Sequence, residues 1–417
     1  MSHASPPVEP EVQEPKPLPD ADPGPPEAAP ARLDSIDAYR GLVMFLMMAE
    51  ALRFGAMARN FPESDLWRFL AEQQEHVDWI GCVVHDLIQP SFSFLVGVAL
   101  PFSIASRTAR GQSRFLMTSH ALMRALILVL LGVFLRSVGR PQTYWTFEDT
   151  LSQIGLGYPL LFLLGFASRR VQGGALAAIL IAYWGLFAAY PAPGPDFDYP
   201  AHGVPADWPH LMDGFQAHWN KNSNAAWAFD AWFLNLFPRE KPFAYNGGGY
   251  ATLSFIPTLA TMILGLLAGG ELRGKQSPWS KIALLVGAGA IATAAGWGLG
   301  AAGLCPIVKR IWTPSWTLFS GGLCFLILAG FYLVMDVLGW KWWAFPLRVI
   351  GMNSIAAYCL AHLVEDFIVS AFHTHLGPDV FRAFGEGYEP FVQGVAVLSA
   401  LWLVLFWMYR RRLFLRV

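Results

Sequence analysis

The 417-residue sequence is short of charge. Asp, Glu, Lys and Arg make up 14% of it against 54% hydrophobic residues, whereas soluble domains carry about 25% charged residues. The formal net charge is −1, which gives no electrostatic footprint for a nucleic-acid partner. Cysteine is scarce too. Cys82, Cys305, Cys324 and Cys359 are scattered in or beside apolar runs, a spacing that builds neither a metal site nor a disulfide framework, so no metal is expected. There is no P-loop and no GxGxxG opening a helix. Gly247–Gly249 precede an apolar run rather than a strand–helix unit. The roughly ten-residue alternating segments of a membrane β-barrel are also missing. Residues 1–31 lack the basic and apolar regions of a signal peptide. They hold ten prolines and several acids, the composition of a disordered tail.

What the sequence has in quantity is long apolar runs, such as Ala283–Leu304 and Val392–Tyr409. About 20 such residues cross a bilayer core, and a backbone without water to bond must close its hydrogen bonds as helix. The expected fold is therefore all-α. It is a polytopic membrane bundle of about ten transmembrane helices over 32–417, preceded by the disordered, cytoplasmic tail 1–31. The spans read as 37–57, 79–103, 117–136, 151–168, 174–190, 250–270, 280–302, 316–336, 345–369 and 391–409. Arg107, Arg110 and Arg114, then Arg169 and Arg170, Arg273, Lys275 and Lys281, and finally Arg410–Arg412 all fall on one side of this scheme. By the excess of Lys and Arg in cytoplasmic loops, both termini face the cytoplasm. The connection 191–249 then lies outside. Within it Asn224–Phe237 reads as an amphipathic helix, and its aromatic residues suit either anchoring in the headgroup layer or sugar stacking. Small-residue runs such as Gly287-Ala288-Gly289 permit close helix contacts and leave a homo-oligomer open.

Charged side chains inside spans are costly and mark function or pairing. Glu50 and Asp86 each lie about seven residues from the outer end of a span, roughly 10 Å deep at 1.5 Å per residue. His362, Glu365 and Asp366 approach the same level in span nine, and His76 sits just above Asp86. In span two Asp86, Gln89 and Ser93 share a face, and Pro90 predicts a kink there. The inner half holds Arg40, Arg124, Arg348 and Asn353, cationic and polar groups suited to an anionic cofactor such as a nucleotide or coenzyme A. Structural pairing competes with each reading, Glu50 with Arg53 for example.

These residues also form motifs in order along the chain. They are Ser35-Ile36-Asp37-Ala38-Tyr39-Arg40-Gly41; His76-Val77-Asp78-Trp79-Ile80-Gly81; Asp86-Leu87-Ile88-Gln89-Pro90; Phe94-Leu95-Val96-Gly97; Met123-Arg124; Gln153-Ile154-Gly155; Lys309 with Ile311-Trp312 and Ser315; and Gly351-Met352-Asn353-Ser354. Together they resemble the heparan-alpha-glucosaminide N-acetyltransferase family, whose signature reads HxxWxG, DLxxP and FxxG. Two positions depart from it: Ala49-Glu50-Ala51, where members often carry Asn, and Tyr245-Asn246-Gly247, where they often read Tyr-Asp-Pro-Glu-Gly. The resemblance implies a transferase of the bacterial inner membrane that uses cytoplasmic acetyl-CoA as donor. It acetylates a sugar amine or hydroxyl on the far side, without the luminal N-terminal domain of lysosomal members. It implies that His76 is catalytic, oriented by Asp86 or Glu50, with Arg40, Arg124 and Asn353 holding acetyl-CoA. Trp79, Tyr245, Asn246, Lys309, Trp312 and His362 then belong to the acceptor side. An ion-coupled transporter also fits intramembrane acids beside a broken helix, as does a sugar- or lipid-binding membrane protein without catalysis.

Overall fold

The protein is described here by a computed structural model over residues 33–415; the tail 1–31 lies outside the described residues. The chain forms α1 (Asp34–Met48), α2 (Phe54–Asn60), α3 (Asp65–Gln74), α4 (Ile88–Ala109), α5 (Arg114–Ser137), α6 (Thr150–Leu164) and α7 (Arg169–Ala189). After a long connection come α8 (Ala225–Phe233), α9 (Phe255–Arg273), α10 (Pro278–Ala301), α11 (Pro314–Phe331), α12 (Phe345–Gly351), α13 (Ser354–Leu363), α14 (Glu365–Leu376) and α15 (Glu389–Arg410). Among the described residues, eight helices are long and apolar enough to cross a membrane. The apolar pair α12–α13, bent by 69°, has the form of a broken span or a re-entrant loop, and α6 is a shorter apolar helix in the place of the fourth expected span. The molecule is an integral membrane protein.

At the centre α4 packs along α9, and small residues set the distance. Gly97 lies on the backbone of Met262, and Gly265 lies on that of Phe94. A side chain at either would collide with the facing helix. In lipid, where apolar surface alone gives little drive to associate, such close backbone approach stabilises a pair of helices. Gly41 of α1 and Gly351 of α12 repeat the device, each against the backbone of the other helix. This holds α1 to α12.

Two expected spans differ from the structure. The kink at Pro90 does not form, because the helix starts later than the apolar run does. Residues 75–83 are irregular and not helical, Val84–Leu87 form a 3-10 turn, and α4 begins at Ile88. Pro90 therefore sits in the first turn, where its missing N–H has no helical acceptor to lose. The ninth span is not one helix over 345–369. Gly351 is drawn onto Asp37, and the side chain of Asn353 is taken up by the C-terminal segment, donating to the Leu413 carbonyl and accepting from the Leu415 N–H. The chain bends there and breaks again at Val364.

The connection between α7 and α9 is a folded cap. Asn224 caps α8 by accepting from the N–H groups of Ala226 and Trp227, as expected for the Asn224–Phe237 segment. The fully buried Trp219 stacks on Phe187 of α7, and its carbonyl accepts from the Trp79 indole. Asp34 of α1 pairs with Arg348, and Asn353 holds the C-terminal segment, so both described ends share one face. That is the termini face; the cap covers the opposite, loop face.

Candidate active site

The site begins with two segments that pair through an isolated bridge, with no sheet among the described residues. Gly81, at a φ of 127° that favours glycine, donates its N–H to the Ile307 carbonyl. Ile80 bridges Val308 beside it. This pairing carries His76, before α4, to Lys309, before α11. His76 Nδ1 lies 2.8 Å from Asp86 Oδ1, and Lys309 Nζ lies 3.2 Å from the same oxygen. The other carboxylate oxygen of Asp86 accepts from the Val83 N–H at 3.2 Å. Asp86 is fully buried and Lys309 is 4% exposed. A buried carboxylate of this kind is tolerable only when paired and hydrogen-bonded, and Asp86 is both.

Lys309 Nζ also approaches His76, at 2.9 Å from Nδ1. The carboxylate and the ammonium make opposite demands on that nitrogen. The tautomer with a proton on Nδ1 donates to Asp86 and leaves Nε2 a lone pair. Burial holds the His76 imidazole below the usual histidine range; the bond to Asp86 opposes this and Lys309 reinforces it. Burial likewise lowers Lys309, to about 8, against the pull of Asp86. His85 extends the cluster. Its ring lies 4.6 Å from that of His76, and its Nε2 is 3.1 Å from Glu50 Oε1.

This cluster lines a cavity of about 270 Å³ on the loop face, together with Met44, Gln89, Phe92, Arg136, Glu148, Asp149, Tyr250, Tyr358 and His362. A second cavity, about 490 Å³, opens from the termini face and is lined by Arg40, Arg107, Arg124, Tyr158, Gly351 and Ser354 among others. A third of about 220 Å³ adjoins it through Arg107, Arg124 and Tyr158. Phe92 lines both the loop-face and the termini-face cavities. Arg124 lies over the Tyr158 ring and donates to its hydroxyl, and its Nε has no hydrogen-bond partner among the described residues. Three guanidinium groups with an orphaned buried N–H fit the phosphates of a nucleotide-bearing donor.

With this geometry in place, the chain compares with curated proteins as follows. It is 24% identical over 428 residues to heparan-alpha-glucosaminide N-acetyltransferase of Homo sapiens, across 94% of this chain and 60% of the human protein. The mouse protein of the same name is 23% identical over 430 residues, across 93% and 60%. The similarity to these acetyltransferases runs along nearly the whole of this chain. The chain spans about 60% of the length of these relatives. No family model matches it.

The motif residues separate in space. His76, Asp86, Lys309, Glu50 and His362 meet at the loop-face cavity, while Arg40 and Arg124 line the other. Glu50 stands beside His85, and Arg53 pairs with Glu365 instead. Trp79 and Trp312, expected on the acceptor side, are fully buried packing residues: Trp79 under the cap and Trp312 donating to Thr261 of α9. Tyr245 lines a separate pocket of about 330 Å³ between the cap and the α5–α6 connection. Asn246 shapes a turn by accepting from the Gly248 and Tyr250 N–H groups. Asn353 anchors the C-terminal segment beside the termini-face cavity. Sequence reasoning passed over His85, Arg107, Glu148 and Asp149 as site residues. His85 adjoins Asp86 in sequence and was visible. The two acids precede an apolar helix, where acids ordinarily read as caps.

Proposed function

We propose that the protein is a transmembrane acetyltransferase that takes an acetyl group from acetyl-CoA at the termini face and delivers it to a sugar at the loop face. The observation that carries this reading is the meeting of two unlike cavities at Phe92. One is walled by arginines, and the other holds a buried His76–Asp86–Lys309 cluster. The scatter of Lys and Arg along the sequence supports a cytoplasmic termini face.

In this reading Arg40, Arg107 and Arg124 hold the donor, which supplies an activated acetyl thioester. Asp86 fixes the His76 ring, and Nε2 accepts the acceptor's proton as general base. A lowered pKa keeps that nitrogen unprotonated near neutrality, with Lys309 Nζ 3.4 Å away. The Lys309 ammonium is the charge available to the oxygen that turns negative as the acceptor adds. Trp79 and Trp312 hold the cap and α11 in place.

The test is a label-transfer assay. Purified protein receives acetyl-CoA labelled in the acetyl group and a panel of sugars. Labelled acetyl sugar is expected, and its loss in His76→Ala confirms the base. Failure of the protein to bind acetyl-CoA would overturn the reading. The bent pair α12–α13, with cavities on both faces, also fits alternating access in a transporter. Acceptor accumulating unmodified inside vesicles would favour that alternative.

A further inference from the structure

The pocket of about 330 Å³ between the cap and the α5–α6 connection has no part in the acetyl-transfer chemistry just described. Its cations are Arg140, Arg239 and Lys241, and its one carboxylate is Glu240. None of these four forms an ion pair among the described residues. Elsewhere Arg53, Arg169, Lys309, Arg348 and Arg382 each pair with a carboxylate. The unpaired charges are gathered rather than spread. Arg140 lies 3.8 Å from the centre of the Tyr144 ring, and Arg239 lies 5.6 Å from the same ring. Arg239 is fixed further, donating to the carbonyls of Leu234 in the cap and Trp145 in the connection. Drawing like charges to one ring without a counter-charge is unfavourable, and an anion in the pocket offsets it.

An apolar track leads to these cations. Leu122, Leu126, Leu130, Phe134 and Val138 recur every four residues along α5 and just past its end, and each is at least half exposed. That spacing keeps them on one side of the helix, the side this membrane helix turns to acyl chains. Val138 stands two residues before Arg140. On the cap, Leu236 is exposed two residues before Pro238, which also lines the pocket, and the exposed Trp232 is of the type enriched at the headgroup layer. Val133, Phe147 and Leu234 pack the cap onto α5 here, so the apolar track and the cations belong to one corner of the molecule.

We propose that this pocket binds the phosphate of an anionic phospholipid in the loop-face leaflet, with an acyl chain lying along the exposed side of α5. A free phosphate would match the cations but make no use of the track. Basic pockets beside membrane helices hold anionic headgroups by the same charge complementarity. The inference does not depend on the acetyltransferase reading.

The test is native mass spectrometry of the full-length protein in detergent, titrated with phosphatidylglycerol and with phosphatidylcholine of the same chains. The wild type is expected to bind its first phosphatidylglycerol about tenfold more tightly, the scale of one or two cations facing a negative headgroup. R140Q/K241Q, which leaves Arg239 to hold the cap, should lose the preference and bind both lipids as the wild type binds phosphatidylcholine. R170Q/K275Q removes two exposed cations at the termini face and should keep it. No preference in the wild type, a preference that survives in R140Q/K241Q, loss of both lipids in that variant, or an equal loss in R170Q/K275Q would overturn the site. Glycerol 3-phosphate displacing phosphatidylglycerol at equal concentration would overturn the lipid as its occupant.

Discussion

The two cavities that meet at Phe92 are made of opposite materials. On the termini face three guanidiniums, fixed in charge at any working pH, outnumber the one carboxylate, Asp37, that pairs with Arg40. On the loop face, beside Arg136, stand histidines, carboxylates and one lysine shifted to about 8, groups whose protons can move. A wall of fixed positive charge holds an anion, whereas titratable groups a few ångströms apart transfer protons. In the proposed reading, this difference puts binding and chemistry at different depths of one bundle. Mutations at the two depths should therefore fail in different ways.

The largest effect is expected at His76. H76A should reduce acetyl transfer by about 10²- to 10⁴-fold, the range of a lost general base, while acetyl-CoA binding measured by equilibrium titration stays near wild type. Next is K309M, expected to cost about ten- to a hundredfold in kcat through the lost charge on the developing oxyanion. It should also move the acidic limb of the pH–rate profile upward, since Lys309 helps hold His76 down. R124A should separate the cavities most clearly. Its KM for acetyl-CoA should rise about tenfold, as for one lost charge-assisted hydrogen bond, with kcat little changed.

The pH profile sharpens the same comparison. His76 must be neutral to act, so kcat/KM rises with pH through a pKa below the ordinary 6.5. Lys309 must be charged, so activity falls again as pH passes about 8. A bell with these limbs is expected, and R124A should leave both limbs where they are. The smallest effect belongs to E50Q. Glu50 is more than half exposed where it meets His85, and exposed pairs contribute little, so transfer should stay within about fivefold of wild type.

The bundle was legible in the sequence because length and apolarity dictate membrane helices almost without reference to packing. The division into cationic and titratable depths was legible as well, since residue position along a span fixes depth. Contacts depending on non-helical backbone were not. The run from Trp79 onward is apolar enough to read as helix, yet Gly81 pairs with Ile307 in a non-helical stretch, and that pairing brings Lys309 to Asp86. Trp79 and Trp312 were placed on the acceptor side by the motif resemblance alone; their indoles instead donate to the Trp219 carbonyl and the Thr261 hydroxyl. The bend at Asn353 depends on the C-terminal segment sixty residues on, and no local pattern carries that information.

The account's central claim is transfer across the bundle from one cavity to the other. It is tested most directly in sealed vesicles of uniform orientation, with labelled acetyl-CoA confined to the termini face and glucosamine to the loop face. The account predicts labelled N-acetylglucosamine on the loop-face side, abolished by H76A and slowed by R124A in a way that excess acetyl-CoA restores. Label appearing only when donor and acceptor share one side would contradict it.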